Sequence, residues 1–327
     1  MSSPATAESG ASTTSPLPKA GPGISRGRLA GLGRRSHLRQ RDNPRAKTGL
    51  LMTLPVQLLF ALFFALPFGY ALYESLSSPL TGGFVGLRNF GLALGSASFW
   101  HSIERVFFFG LVQVTAMVAI ALLLAFIIDS PLCAGKRMFR LVFFLPFAVP
   151  GVLAALMWSF LFSPQLDNLL SLPAHLGLTG APLDPLSPGF LLWSIMLVVT
   201  WEWTGYTMTL YLTSLASIPD SVLEAAVIDG CSEVGLVRHI KLPLIRRMIM
   251  FTLVLSIIGT LQLFNEPQLL QAPVGYTPNM AIYNEAFTVG NIPLASAMSL
   301  VLGLITVGAS LLFYALWHRL GPREAKA

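Results

Sequence analysis

One acidic residue lies inside a long apolar stretch, and its neighbours could help it to bind a ligand. Glu202 stands between Trp201 and Trp203, and Tyr206 follows one helical turn later. A charged side chain near the middle of a membrane is costly and is therefore a functional candidate by default. Its carboxylate could accept charge-assisted hydrogen bonds from hydroxyl groups while an indole ring stacks on a sugar ring. The alternative is a structural glutamate that Thr or Tyr hydroxyls of adjacent helices satisfy.

The longest polar interruption between apolar stretches in the second half of the chain covers residues 217–243. Pro219 stops the preceding helix, and the spacing of Ser221 and Glu224 is that of a capping box, so a short helix is predicted to begin there. Gly230 accepts the left-handed backbone of a helix stop, and Ser232 can begin a second short helix. On local propensity alone, the segment could equally be a linker with two helical turns.

The composition indicates that these groups belong to a membrane protein. Of the 327 residues, 54% are hydrophobic and only 11% are charged, whereas a soluble domain has roughly 25% charged residues. A transmembrane helix needs about 20 predominantly apolar residues. Six stretches meet or approach this length: 50–73, 106–128, 141–162, 190–215, 248–265 and 292–317. We therefore predict an all-α polytopic membrane protein with six transmembrane helices, the third bent at Pro146, Pro150 and Gly151.

The basic residues predict the orientation of these helices. Nineteen of the 21 Lys and Arg residues fall on one side of a six-helix arrangement, and only Arg88 and Arg105 fall on the other. By the positive-inside rule, both termini and the 217–243 loop are cytoplasmic, in a multi-pass protein of the bacterial plasma membrane. The net charge of +6 thus reflects topology. Nucleic-acid binding would need basic residues interleaved with aromatic ones on a folded domain, and the sequence has none.

The loop motif resembles that of a known family. Its residues Glu224-Ala225-Ala226, Asp229-Gly230 and Ile240-Lys241-Leu242-Pro243 have the types and spacings of the E-A-A, D-G and I-x-L-P motif. That motif is typical of the permease subunits of binding-protein-dependent (type I) ABC importers. Cys231 stands where the family usually has Ala. The segments P-F-G-Y-A-L-Y-E-S-L and F-V-G-L-R-N-F are similar to the entry segment of the carbohydrate-uptake branch, as in the larger permease subunits of maltose and glycerol-phosphate transporters.

The resemblance implies a domain organisation around a five-helix type-1 core with one additional N-terminal helix. Residues 99–314 form the permease domain, and residues 50–98 form the first transmembrane helix and an external entry segment. Residues 315–327 form a cytoplasmic tail. Residues 1–49, rich in Ser, Pro, Gly and Arg, are predicted to be a disordered basic cytoplasmic tail.

The resemblance also implies roles for two groups of residues. The 217–243 loop would couple the chain to a separate ATPase through Glu224, Ala225, Ala226, Asp229, Gly230, Ile240, Leu242 and Pro243. The region after the fifth transmembrane helix lines the solute route in the family. The possible solute pathway here comprises Glu202, Trp203, Tyr206, Asn265, Glu266 and Gln268. The family's T-x-G-G-P segment is absent, which leaves the ligand preference open.

The implied function is ATP-driven import of a sugar or related solute, with this chain as the pore-forming subunit. The sequence has no G-x-x-x-x-G-K-[ST] motif, so ATP and Mg would be bound by partner subunits, and we predict no cofactor, catalytic residue or metal ligand on this chain. The implied partners are two ATP-binding subunits, a second homologous permease in a heterodimer, an extracytoplasmic solute-binding protein and membrane lipid. The alternatives are an ATPase-independent secondary transporter or channel and, in another class, a membrane enzyme.

Overall fold

All regular structure in the described residues is helical. The computed structural model describes residues 44–163 and 184–320 and divides the chain into two compact units, Met1–Phe63 and Phe64–Ala327. Apart from one isolated bridge between Ser77 and Phe84, these residues contain no β-structure. The predicted all-α class is therefore confirmed.

The first unit contains α1, Pro44–Phe60, which begins within the segment predicted as a disordered tail. The rest of that predicted tail, and the end of the predicted C-terminal tail, lie outside the described residues.

The second unit is a sequence of long helices joined by short ones. Its α-helices are α2 Leu66–Ser75, α3 Arg88–Gly95, α4 Ala97–Asp129, α5 Lys136–Ala148, α6 Gly151–Leu161, α7 Leu191–Leu215, α8 Asp220–Ile228, α9 Glu233–Leu236, α10 Leu242–Leu244, α11 Arg246–Leu261, α12 Asn265–Leu269, α13 Pro278–Tyr283 and α14 Ile292–Leu320. Wider π-helical turns cover Val237–Lys241 and Asn284–Val289 in this unit, and another, Ala61–Ala65, begins in the first unit.

Three helices among the described residues are long and apolar enough to cross a membrane: Leu51–Ser75, Ala97–Asp129 and Ile292–Arg319. The number rises to five if each of two bent helix pairs is one span. Helix α7 has 25 residues, about 37 Å of helix, but it is not among them because its polar residues lower its hydropathy. A helix enclosed by other helices needs no uniformly apolar surface, so the count of six stays a prediction.

The third predicted span is bent, as the sequence indicated. Helices α5 and α6 meet at 93°, where Pro150 breaks the backbone ladder and Gly151 begins the new helix. The second bent pair joins Glu233–Leu244 to Arg246–Leu261 at 63°. Pro243 lies within the last turn before this bend, so the chain leaves the 217–243 loop at a sharp angle.

Helix α4 organises the core of the second unit. Its C-terminal half packs on α7 and on the start of α11 through a cluster that includes Ala121, Ala125 and Tyr211. Phe109 belongs to a second cluster with the first half of α7, and Phe99 belongs to a third with α14. One helix therefore contacts every cluster of buried apolar side chains in the described residues.

Helices α5 and α7 approach each other closely at Gly205. A Cβ added at Gly205 of α7 would overlap the carbonyl group of Phe143 in α5. Small residues allow such contacts between membrane helices, where packing rather than hydrophobicity drives association. This contact fixes α5, and with it the bend before α6, against the polar segment of α7.

Candidate functional site

The motif residues of the 217–243 loop lie on a short helix and the turn that ends it. Helix α8 ends at Ile228, and Gly230 follows with a φ of +83°. The Gly230 N–H donates to Val227 O, and the Cys231 N–H donates to Ala226 O, each at 3.0 Å. These two bonds form a Schellman motif, which requires the left-handed residue that glycine supplies. The predicted glycine stop is confirmed.

The predicted start of α8 is wrong in detail. The helix begins at Asp220, with Pro219 as its N-cap and no side-chain capping bond, so Ser221 and Glu224 do not form the capping box. The second short helix begins as predicted, because Ser232 Oγ accepts a hydrogen bond from the Gly235 N–H at 3.2 Å.

The loop presents apolar side chains to its surroundings. Val227, Ile228 and Val234 are 57%, 84% and 76% exposed. Of the motif residues, Glu224, Ala225, Asp229, Gly230 and Pro243 are exposed, and Ala226, Ile240 and Leu242 are half-buried. Contiguous exposed apolar surface commonly marks a protein-binding site.

A nearly buried ion pair connects the loop to α4. Lys241 Nζ lies 2.6 Å from Asp129 Oδ2, and the two side chains are 9% and 26% exposed. Lys136 Nζ donates to the main-chain oxygen of Asp129 at 3.0 Å. Asp129 is the last residue of α4, so a displacement of Lys241 would act directly on the end of that helix.

A cavity of about 490 Å³ lies between α4, α7, α11 and the start of α12. Four of the six predicted pathway residues line it, namely Trp203, Tyr206, Asn265 and Glu266. Glu202 and Gln268 do not line it, and Gln268 is exposed on α12. The volume falls within the roughly 300–1,000 Å³ typical of small-molecule sites.

Glu202 contacts a second acid instead of facing the cavity. Its carboxyl group is in hydrogen-bonding contact with that of Glu266, and both residues are buried, 6% and 7% exposed. Glu202 Oε2 has no hydrogen-bond partner among the described residues. The structural alternative predicted that Thr or Tyr hydroxyls of adjacent helices would satisfy Glu202. The structure instead shows the carboxyl group of Glu266 in contact with it.

The cavity also contains polar residues that the sequence patterns did not single out. Gln113 of α4 is buried and donates to Thr200 Oγ1 at 3.4 Å. Thr252, in contact with the Tyr211 hydroxyl at 2.7 Å, and Gln262 also line the cavity. Each is one uncharged polar residue in an apolar stretch, a weaker indication than a carboxylate.

A separate contact ties the other end of α4 to the loop before α13. Arg105 Nη1 donates to Tyr276 O at 2.9 Å, and its guanidinium lies 4.5 Å from the centre of the Tyr276 ring. Burial raises the pKa of the Tyr276 phenol, and the positive charge of Arg105 acts in the opposite direction.

Comparisons with known proteins give a consistent family. The family model described as binding-protein-dependent transport system inner membrane component matches residues 131–326. The lactose transport system permease protein LacF of Rhizobium radiobacter is 31% identical over 285 residues, which cover 83% of this chain and 94% of that relative. The sn-glycerol-3-phosphate transport system permease protein UgpA of Yersinia pseudotuberculosis is 29% identical over 273 residues, covering 80% of this chain and 91% of that protein.

Solved structures share the fold. A chain of a bacterial ABC transporter involved in the import of the acidic polysaccharide alginate matches with a TM-score of 0.75 and 19% identity, covering 85% of this chain and 97% of its own length. A chain of the bacterial alginate ABC transporter in complex with an alginate pentasaccharide-bound periplasmic protein matches with a TM-score of 0.72 and 20% identity, over 84% and 96% of the two chains.

Proposed function

Because the chain belongs to the family of inner membrane components of binding-protein-dependent transport systems, we propose that it is a pore-forming subunit through which an ATP-driven importer moves a sugar. The observation that carries this proposal is the cavity between α4, α7 and α11, whose aromatic and polar lining suits a hydroxyl-rich solute. Aromatic faces stack on the apolar faces of sugar rings, and amide and carboxyl groups exchange hydrogen bonds with the hydroxyls. The names of relatives, a lactose permease among them, support the same solute class.

The 217–243 loop is the proposed contact with a separate ATPase. Its exposed Val227, Ile228 and Val234 supply apolar area for a partner, and the Schellman turn at Gly230 fixes the angle between α8 and α9. In this proposal, two partner subunits bind ATP and Mg and hydrolyse the nucleotide. Their closure moves the loop, and the Lys241–Asp129 pair passes that movement to α4.

The assembly requires further partners. One such chain lines half of a pathway, so a second, homologous permease is proposed as the other half of a heterodimer. A solute-binding protein would deliver the sugar from outside, and the alginate transporter structure solved with its periplasmic protein supports this partner class. Six transmembrane helices with both termini in the cytoplasm complete the proposal.

A glycine substitution tests the coupling. Gly230→Val places a β-branched residue at a φ of +83°, which strains the backbone although a Cβ there meets nothing within 4 Å. We expect membrane insertion to be retained and solute-stimulated ATPase activity of the purified complex to fall at least about tenfold, an effect equivalent to 1.4 kcal/mol.

Gly290→Val is the matched control. Gly290 also follows a helical segment, has a φ of +78° and has open space around it, but it lies outside the loop. It should reduce stability without uncoupling ATP hydrolysis from transport. Full coupling in Gly230→Val would contradict the role assigned to the loop.

A secondary transporter is the second candidate, and the Glu202–Glu266 pair is the observation that favours it. Buried acids in membranes commonly form proton relays in carriers. Uptake by proteoliposomes that contain this chain without any ATP-hydrolysing subunit, driven by a pH gradient, would support the carrier and contradict the ATP-driven importer.

A further inference from the structure

The charged lining of the cavity is of one sign, negative. Among the described residues that line it, Glu266 is the only charged one, and none is a Lys, Arg or His. The nearby Arg105 is directed to Tyr276 and lies outside the cavity lining. A bound solute would therefore meet one carboxyl group and no compensating cation from residues 44–163 and 184–320.

Glu266 lies beside Glu202, Asn265 and the start of α6 at Gly151. A Cβ at Gly151 would lie 3.2 Å from Glu202 Oε1, 3.7 Å from Glu266 Oε1 and 3.8 Å from Asn265 Nδ2. The three polar side chains thus converge on the bend between α5 and α6. Gly151 is the first residue of the 11-residue helix α6, and the positive end of a helix dipole favours acidic groups. This placement accounts for two acids being held together at a buried site.

The contact between Glu202 and Glu266 limits the negative charge that the two carboxyl groups can carry together. A carboxylate only accepts hydrogen bonds, so contact between two carboxyl groups needs a proton between them, and the pair then carries at most one negative charge. One negative charge beside a cavity enclosed by helices repels an anion more strongly than it would in bulk water. It accepts hydroxyl hydrogen bonds from a neutral solute without such a penalty.

Two aromatic rings, those of Trp203 and Tyr206, also line the cavity. Trp203 is 42% exposed although it lies on the central helix α7. Phe147 stacks on Tyr206 at 4.5 Å between ring centres and meets the Trp203 ring edge-on at 5.3 Å. These contacts hold the Trp203 and Tyr206 rings in fixed orientations beside the cavity, where a flat, uncharged ring can stack on them.

We propose that this cavity selects an uncharged, hydroxyl-rich solute over an anionic one, with the Glu202–Glu266 pair as the specificity determinant. The inference rests on the proposed function, since it assigns the cavity to the solute pathway. It separates this chain from the sn-glycerol-3-phosphate permease and from the importer of the acidic polysaccharide alginate to which it is similar.

The test compares two disaccharides of matched size, neutral maltose and anionic digalacturonate. The transporter is purified with its native partner subunits through a tag on this chain and placed in nanodiscs without the solute-binding protein. Saturation-transfer NMR then measures the dissociation constant of each probe. We expect maltose to bind at least about tenfold more tightly than digalacturonate, a difference equivalent to 1.4 kcal/mol.

Two variants should reduce this preference. Glu266→Gln removes the charge at nearly constant shape, and Gln262→Lys adds a cation at an exposed lining position without altering the acid pair. Each should bring the two dissociation constants to within about threefold of each other. Glu104→Gln, at a side chain that is 72% exposed and outside the lining, should leave the preference unchanged.

The inference is overturned if wild type binds digalacturonate as tightly as maltose, if it binds neither probe, or if both variants keep the original preference. Copurification of an ATP-hydrolysing subunit with the tagged chain tests the proposed function separately. Selective binding of maltose without such a subunit would contradict the ATP-driven importer and leave the cavity inference intact. Copurification of such a subunit without selective binding would support the importer and overturn the cavity inference.

Discussion

Lys241 holds the most enclosed positive charge in the described part of the predicted coupling loop. Its side chain is 9% exposed, and Asp129 Oδ2 lies 2.6 Å away. Removing one member of a buried pair leaves the other uncompensated, whereas replacing both with apolar residues is often neutral or stabilising. The pair is therefore better understood as fixing the position of the loop on α4 than as a large source of stability.

Substitution of Lys241 and Asp129 separates the effect of the pair on stability from its effect on the position of the loop. Lys241→Met should lower the free energy of unfolding by about 1–3 kcal/mol, because Asp129 is then half-enclosed without a partner. The double variant Lys241→Met with Asp129→Leu should regain most of that stability, but its solute-stimulated ATPase activity should stay low. Thermal unfolding in detergent and ATPase assays of the purified complex measure the two quantities.

Arg238→Met is the control for Lys241→Met, since Arg238 is an exposed basic residue in the same π-helical turn. It should change stability little. Normal coupling of ATP hydrolysis to transport in the double Lys241–Asp129 variant would show that the pair does not transmit movement from the loop to α4.

At the scale of elements, α4 is the helix that contributes to all three clusters of buried apolar side chains in the described residues. It spans about 36 Å between Arg105 and Asp129, with the Tyr276 contact at one end and the Lys241 contact at the other. Phe109, Gln113 and Met117 between those ends line the cavity. A helix attached at both ends that lines the cavity in between can connect the loop to the proposed solute pathway.

The crossing of α5 and α7 depends on one glycine. Gly205→Ala should push α5 away from α7, because its new methyl group would overlap the Phe143 carbonyl. Overpacking of this kind costs about 1–3 kcal/mol, and here the obstacle is backbone, which cannot rotate away. We expect a lower melting temperature and loss of maltose binding in the same nanodisc preparation.

Gly303→Ala serves as the comparison for Gly205→Ala. Gly303 is also a helical glycine, but a Cβ there meets nothing within 4 Å, so alanine should be neutral or slightly stabilising. Equal melting temperatures for the two variants would show that α5 can move away without cost.

At the scale of the whole molecule, orientation is the property that the basic residues predict and that chemical labelling can establish. The chain has two cysteines, Cys133 and Cys231, both free and partly accessible. Cys133 follows α4, and Cys231 lies in the 217–243 loop, so the predicted topology puts both on the cytoplasmic side.

A membrane-impermeant maleimide should therefore label the chain in inverted vesicles and leave it unlabelled in intact spheroplasts. A Thr81→Cys variant lacking the two native cysteines should show the opposite pattern, because Thr81 is exposed in the predicted external segment. Labelling of Cys231 from outside would invert the topology and exclude contact between the loop and a cytoplasmic ATPase.

The sequence determined those features that depend on local chemistry. Apolar stretches of sufficient length predicted the membrane helices, Pro150 and Gly151 predicted the bend, and Gly230 predicted the helix stop in the loop. The bend and the helix stop are confirmed, because backbone restrictions act within a few residues. The described residues contain three helices that could cross a membrane, or up to five with the bent pairs, so the number of six stays a prediction. Helix α8 begins two residues earlier than predicted, because Pro219 and not Ser221 is its N-cap.

Only the tertiary structure decided which polar groups share a site. Glu202 and Glu266 are 64 positions apart, and nothing local to either shows that they meet beside Gly151. The same holds for Lys241 with Asp129 and for Arg105 with Tyr276. Periodicity and motif spacing describe neighbours along one helix, whereas these contacts depend on how separate helices cross, and a close approach such as that of Gly205 to Phe143 sets those crossings.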